Sequence, residues 1–145
     1  MKLSTRSRYA TRALLDLAIY YGKEPIALKD IAQRQEISEQ YLQQLIGPLK
    51  VIGMIKSIRG ANGGFMLVKP PSQIRISHII KAVEGSIAFV DCVDDSHACP
   101  RANKCPTRGI WVKATKAAGD VFDSISLQDL IDQAGGDKLP SGSIM

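Results

Sequence analysis

In Leu28-Lys29-Asp30-Ile31-Ala32-Gln33-Arg34-Gln35-Glu36-Ile37-Ser38-Glu39-Gln40-Tyr41-Leu42-Gln43-Gln44-Leu45-Ile46, two short helical patterns flank a polar turn. The first, Leu28 to Arg34, puts Leu28, Ile31 and Ala32 inward, and Gln35-Glu36-Ile37 make the turn. Ser38 is a good N-cap for the second, because its hydroxyl oxygen accepts from a free N–H of the first turn. That helix sets Leu42, Leu45 and Ile46 on one face and the amides of Gln40, Gln43 and Gln44 on the other. Helix, tight turn and a polar-faced helix predict a helix-turn-helix.

Toward the amino terminus, Tyr9, Ala10, Ala13, Leu14, Leu17, Ala18 and Tyr21 recur at helical spacing, with Arg8, Arg12 and Asp16 on the other side, until Gly22 and Pro25. Beyond Ile46, Gly47-Pro48 predicts an interruption, with Pro48 restarting a turn that carries Leu49, Val51 and Ile52 toward the core. Met54 to Arg59 and Phe65 to Lys69 are strand candidates joined by Gly60-Ala61-Asn62-Gly63-Gly64, and Pro70-Pro71 closes the unit. This is the order of a winged helix-turn-helix, whose third helix enters the major groove. Gln43 and Gln44 can each donate and accept at an adenine edge, while Ser38, Gln40 and Tyr41 reach bases or phosphates. Arg59, at the hairpin base, suits a minor groove and would read its width.

The second half carries a helix through Ile76, Ile79, Ile80 and Val83 to Glu84-Gly85, then the run Cys92-Val-Asp-Asp-Ser-His-Ala-Cys99-Pro-Arg-Ala-Asn-Lys-Cys105-Pro. Pro100 and Pro106 forbid regular helix there. From about Thr107 an apolar stripe of Ile110, Trp111, Ala114, Ala117, Ala118, Val121, Phe122 and Ile125 marks a long helix. Ser126 with Asp129 resembles a capping box for a last helix, Leu127 to Gln133. The expected fold is mainly α with a small β-hairpin wing, a winged helix-turn-helix with a long carboxy-terminal dimerisation helix. Residues 1–75 form the DNA-binding region, 76–134 the cluster loop and dimerisation helix, and 135–145 a flexible tail.

The three cysteines fall within fourteen consecutive residues, an odd number that argues against a disulfide framework. Thiolates on an irregular loop suit an iron-sulfur cluster, because such a backbone can wrap an inorganic core and aim N–H groups at its sulfides. The spacings of six and five intervening residues exceed those of zinc knuckles, although a Cys3His zinc set with His97 stays open, as do a disulfide between two of the three and inert thiols. With Cys92, Cys99 and Cys105 as ligands, one position is left for His97, Asp91, Asp94, Asp95, another subunit or a small thiol. Arg101, Lys104 and Arg108 should lower the thiol pKa values.

Charge divides the chain in the same place. Residues 1–75 hold 12 Lys and Arg against 5 Asp and Glu, net +7, and residues 76–145 hold 7 against 9, net −2. A basic half favours polyanions through counterion release. At 145 residues, 45% hydrophobic and 23% charged, the chain is one ordinary globular domain with a helical extension completed by a partner subunit. The polar, basic start and the lack of a long apolar run predict a cytoplasmic protein without a membrane span. Cys with His78 or His97 lacks an orienting third group, so no enzyme is expected, and an electron-transfer or cluster-carrier protein would not need a basic winged half.

Leu3 to Ala10, Leu28-x-x-Ile31-Ala32, Ile37-Ser38-x-x-Tyr41-Leu42-x-Gln44-Leu45, Arg59-Gly60-x-x-Gly63-Gly64-Phe65, Ile79 to Val83, the three cysteines, Trp111 and Ile125-Ser126-Leu127-x-Asp129-Leu130 run through nearly the whole chain. With these residues in this order the chain resembles the iron-sulfur cluster regulators, the IscR-like winged-helix repressors, with their nitric-oxide-sensing and cysteine-metabolism relatives. The resemblance implies a homodimer with crossed long helices that binds a double-stranded operator. It implies Ser38, Tyr41, Gln43 and Gln44 in the major groove, and Arg59 with Gly63 and Gly64 in the minor groove. It also implies a [2Fe-2S] cluster on Cys92, Cys99 and Cys105, or a [4Fe-4S] cluster in a nitric-oxide-responsive repressor. The chain departs from the IscR pattern at Arg108, which stands for a histidine, at Gln43, which stands for a glutamate, and in a first cysteine interval one residue longer. Arg8 stands where some nitric oxide sensors place a carboxylate ligand.

Overall fold

A computed structural model of the chain describes residues 3–135. Helices α1 (Thr5–Ile19), α2 (Leu28–Gln35) and α3 (Glu39–Val51) lead into the antiparallel hairpin β1 (Ile55–Ile58) and β2 (Gly64–Leu67). The hairpin register sets Ile55 opposite Leu67 and Ile58 opposite Gly64. A 3-10 turn at Pro71–Gln73 precedes α4 (Ile76–Glu84). The cysteine loop then carries a one-turn helix α5 (Asp91–Asp94) and a second 3-10 turn (Ser96–Ala98) before α6 (Arg108–Ser124) and α7 (Leu127–Gln133). The architecture is the expected one, mainly helical with a two-stranded wing. The tail expected to be flexible lies, from residue 136 on, outside the described residues.

Leu14 of α1, Ile31 of α2, Leu42, Leu45 and Leu49 of α3, Ile79 of α4 and Leu127 of α7 are all fully buried in one core. Each such side chain contributes about 1.5–3 kcal/mol of burial. The junction of α6 and α7 returns to this core: the N–H of Leu127 donates to the Ile74 carbonyl at 3.0 Å and that of Ile76 to the Ile125 carbonyl at 2.9 Å. Ser126 and Asp129 form the expected capping box, Asp129 N–H to Ser126 Oγ at 3.1 Å and Ser126 N–H to Asp129 Oδ2 at 2.9 Å.

Three expectations are corrected. Gly47-Pro48 does not interrupt α3, which runs from Glu39 to Val51 with Pro48 inside it. Proline removes one backbone bond close to the helix end, and the buried row Leu45, Ile46 and Leu49 holds both sides of it in register. Because the helix continues, Val51 does not reach the core and is 86% exposed, and Ile52 is exposed with it. Asp16 is not on a solvated face: it is buried where α2 packs over α1. The expected apolar stripe of α6 is present, but no residue of α6 is buried, and Ile110, Trp111 and Val121 stay exposed.

Candidate functional site: recognition helix, wing and cysteine loop

Ser38 caps α3, its Oγ accepting from the Tyr41 N–H at 3.1 Å. Gln40, Gln43 and Gln44 are exposed on the outer face. Tyr41 is half-buried and meets Tyr9 of α1 edge to face, with ring centroids 5.7 Å apart. The guanidinium carbons of Arg8 and Arg12 lie 6.0 and 5.3 Å from the Tyr9 ring centroid, within cation-π range. The structure therefore adds Arg8, Tyr9 and Arg12 to the neighbourhood of α3. The spacing of the two arginines, one helical turn apart, was the only sequence sign of it.

The buried carboxylate of Asp16 ties α2 to α1. Arg34 donates through Nε and Nη2 to the two oxygens of Asp16, and Gln35 Nε2 donates to Asp16 Oδ2 at 3.0 Å. The hydrogen bonds to Asp16 hold the Arg34 guanidinium above its ordinary pKa. Arg12 adds a bond to the Gln35 backbone carbonyl.

In the wing, Arg59, Gly60 and Asn62 are exposed and Gly63 and Gly64 are half-buried. A Cβ on Gly63 would strike the Ile58 carbonyl oxygen. One on Gly64, whose φ is +156°, would strike the Ile26 carbonyl, because Ile26 pairs with Phe65 on this side of the hairpin (N–H to O at 3.0 and 2.8 Å). Both glycines are thus required by the fold of the wing itself.

Cys92, Cys99 and Cys105 are free thiols, all half-buried. Cys105 Sγ lies 3.1 Å from Thr107 Oγ1, and bonds from the Thr107 side chain and backbone pull its thiol below the ordinary pKa. Asp95 accepts from the His97 N–H at 2.9 Å, and Asp94 accepts from the Ser86 hydroxyl, so both carboxylates serve the loop's own fold. Arg108 donates from Nε at 3.1 Å and Nη2 at 2.9 Å to the Cys92 carbonyl oxygen. Among the described residues no three His, Cys, Asp or Glu side chains stand together as a ready-made ion site. The donor chemistry, three unpaired thiols on one short loop among cationic neighbours, fits three-point attachment of a thiophilic centre. Arg108, engaged by Cys92 and permanently cationic, is not a fourth ligand.

At the carboxy-terminal end of α4, Glu84 Oε1 accepts from Ser4 N–H (3.2 Å), from the Ser4 hydroxyl and from Ser7 Oγ (2.8 Å), which ties the helix to the start of α1. These bonds, led by the Ser4 hydroxyl, hold the Glu84 carboxyl below its ordinary pKa. No helix among the described residues is long and apolar enough to cross a membrane.

The family profile Rrf2, described as an iron-dependent transcriptional regulator, matches residues 3–133. Protein rrf2 of Nitratidesulfovibrio vulgaris is 43% identical over 134 residues, 92% of this chain and 89% of that protein. The solved structure of CymR, the global cysteine regulator of B. subtilis, aligns with a TM-score of 0.77 at 38% identity, covering 92% of this chain and 98% of that one. That of T. potens IscR aligns with a TM-score of 0.78 at 37% identity, covering 98% and 94%.

Proposed function

The chain belongs to the Rrf2 family of transcriptional regulators, a class without enzymatic activity, and from that premise we propose that it is a cytoplasmic homodimer that senses iron-sulfur status. In this reading residues 1–75 grip a double-stranded operator and residues 76–134 hold the cluster and the dimer contact. Ser38, Gln40, Tyr41, Gln43 and Gln44 read the major groove. Arg59 enters the minor groove, with Gly63 and Gly64 holding the fold of the wing that meets the groove. Cys92, Cys99 and Cys105 hold a [2Fe-2S] cluster, which supplies a centre whose presence and oxidation state depend on iron and redox conditions.

The observation that carries the reading is one chain's combination of an outward amide face on α3 with three free thiols on a loop bonded to α6. The exposed stripe of Ile110, Trp111 and Val121 offers the second copy its surface. Two copies place two α3 helices on half-sites about one helical turn apart, so a small rigid shift at α6 changes affinity.

A second reading, a thiol-state regulator without a cluster, is favoured by Arg108, which cannot ligate iron, and by similarity to a cysteine regulator. Anaerobic purification with iron and sulfide measured per chain, and absorption and Mössbauer spectra, separates these. Two irons and two sulfides per chain support the proposal, and a cubane spectrum replaces it with a [4Fe-4S] nitric oxide sensor. Stoichiometric zinc or no metal at all ends the cluster reading. Replacement of all three cysteines by serine must abolish the response of DNA affinity to cluster loading.

A further inference from the structure

We propose that Arg108 is a positioning residue that straps the Cys92 turn to the root of α6, and that through this strap a change at Cys92 reaches α6. The proposal rests on the reading of the cysteine loop as the sensing element.

The one-turn helix α5 satisfies its own backbone only in part. Its ladder ends with the Asp95 N–H donating to the Asp91 carbonyl at 3.1 Å, so the carbonyl of Cys92 has to be met from outside the turn. Arg108 meets it with two donors, Nε at 3.1 Å and Nη2 at 2.9 Å, across sixteen residues of chain. A charged donor on a half-buried carbonyl makes a stronger bond than a neutral pair, and two donors of a planar fork fix orientation as well as distance. Arg108 is also the first residue of α6, so the carbonyl it grips moves with the base of that helix.

A second bond works in the same direction. The Phe89 N–H donates to Thr115 Oγ1 at 3.2 Å, about two turns further along α6. The segment from Phe89 to Cys92 is therefore held to α6 at two points. Cys105 stands next to the helix start and is bonded to Thr107. Around Cys99 the backbone is closed by local turns, including Ala102 N–H to the Cys99 carbonyl at 3.1 Å and Lys104 N–H to the Arg101 carbonyl at 2.9 Å. Ala102 anchors this span by its burial, but among the described residues no hydrogen bond ties residues 96–104 to α6, so drawing the three thiols around one centre can shift Cys99 without α6, whereas it moves Cys92 together with α6. Thus the permanently charged residue, unable to be a ligand, couples a ligand to the helix that carries Trp111 and Val121.

The test uses the full chain and its Arg108→Ala and Arg108→Lys variants. With reduced, metal-free protein, N-ethylmaleimide modification is followed at each cysteine by mass spectrometry. Arg108→Ala, which removes both charge-assisted hydrogen bonds to the Cys92 carbonyl, is expected to speed modification of Cys92 at least about tenfold and to leave Cys99 within about twofold. Arg108→Lys recovers part of the protection, and circular dichroism shows all three chains folded. In the second arm, affinity for a duplex selected by this chain from a random library is compared between metal-free and cluster-reconstituted protein. Arg108→Ala is expected to take up the same iron per chain and to lose the affinity difference. Unchanged Cys92 modification in Arg108→Ala overturns the strap, and a full affinity difference in that variant overturns its role in transmission. A wild-type chain with no affinity difference overturns the sensing function and the transmission with it, whereas the maleimide pattern still decides the strap.

Discussion

Arg34 grips Asp16 at both carboxylate oxygens, Nε at 2.9 Å and Nη2 at 2.7 Å, and so locks α2 against the buried face of α1. Asp16 is 2% exposed, whereas the Arg34 side chain keeps 22% of its surface in water. The carboxylate is thus the partner that depends on the pair. Since α3 packs on α2, this contact sets the platform from which the amides of α3 project.

Asp16→Ala is expected to destabilise the chain by about 3 kcal/mol, because it leaves the Gln35 amide and Arg34 without their acceptor in a packed interface. Urea unfolding measures this. A midpoint unchanged within error would show that α2 is held by apolar contacts alone.

Gly64→Ala should cost roughly 2–3 kcal/mol, the combined result of a side chain at positive φ and a collision with the Ile26 carbonyl. The thermal midpoint is the readout. Ala61→Gly, at an exposed position of the same loop, serves as the control that leaves the midpoint nearly unchanged.

Gln44→Ala should weaken binding to a selected duplex by roughly 5- to 150-fold and relax preference at one base pair, since a bidentate amide contact to adenine is worth about 1–3 kcal/mol. Arg59→Ala should weaken binding most on duplexes with a narrow, A·T-rich minor groove. Anisotropy titrations on two duplexes differing only in that tract measure both effects.

Trp111→Asp combined with Val121→Asp is expected to weaken self-association at least about thirtyfold, because charges replace two exposed apolar positions of α6. Sedimentation equilibrium reads the result. A monomeric wild-type chain would remove α6 as the dimer contact.

Glu84 has a folded-state pKa below its unfolded value, owing to the Ser4 and Ser7 hydroxyls. Its contribution is therefore fully present above the ordinary carboxylate value of about 4.3 and is lost as pH falls through the lower folded value. Glu84→Gln should reduce stability at neutral pH and flatten the acid limb of the stability curve below about pH 4.5, measured by urea midpoints across pH.

Much of this was legible because local rules agreed with the fold. Ser38 capping α3, Ser126 with Asp129 capping α7, and glycines in the wing each follow from backbone groups within a few residues of the side chain that meets them. The corrections came where distant packing decided. Pro48 alone favours a break, but Leu45, Ile46 and Leu49 bury the same face on both sides of it, and their burial outweighs one lost backbone bond. Asp16 reads as solvated until α2 covers it. Arg108 reads as a charge near thiols, and only the folded loop shows that it holds the Cys92 carbonyl.

By itself the sequence determined the kind of protein: the order of helices and hairpin, the outward amides of Gln40, Gln43 and Gln44, the concentration of thiols, and the basic half. These are one-dimensional properties, set by periodicity, turn chemistry and charge. Tertiary structure alone decided which polar groups are paired across the chain, Arg34 to Asp16, Glu84 to Ser4 and Ser7, and Arg108 to Cys92. It also decided that α6 leaves Ile110, Trp111, Ala117 and Val121 of its apolar stripe exposed while Ala114, Ala118 and Phe122 are half-buried. Such pairings depend on distances between residues far apart in the chain, and those distances exist only after the core of Leu14, Ile31, Leu42 and Ile79 has closed.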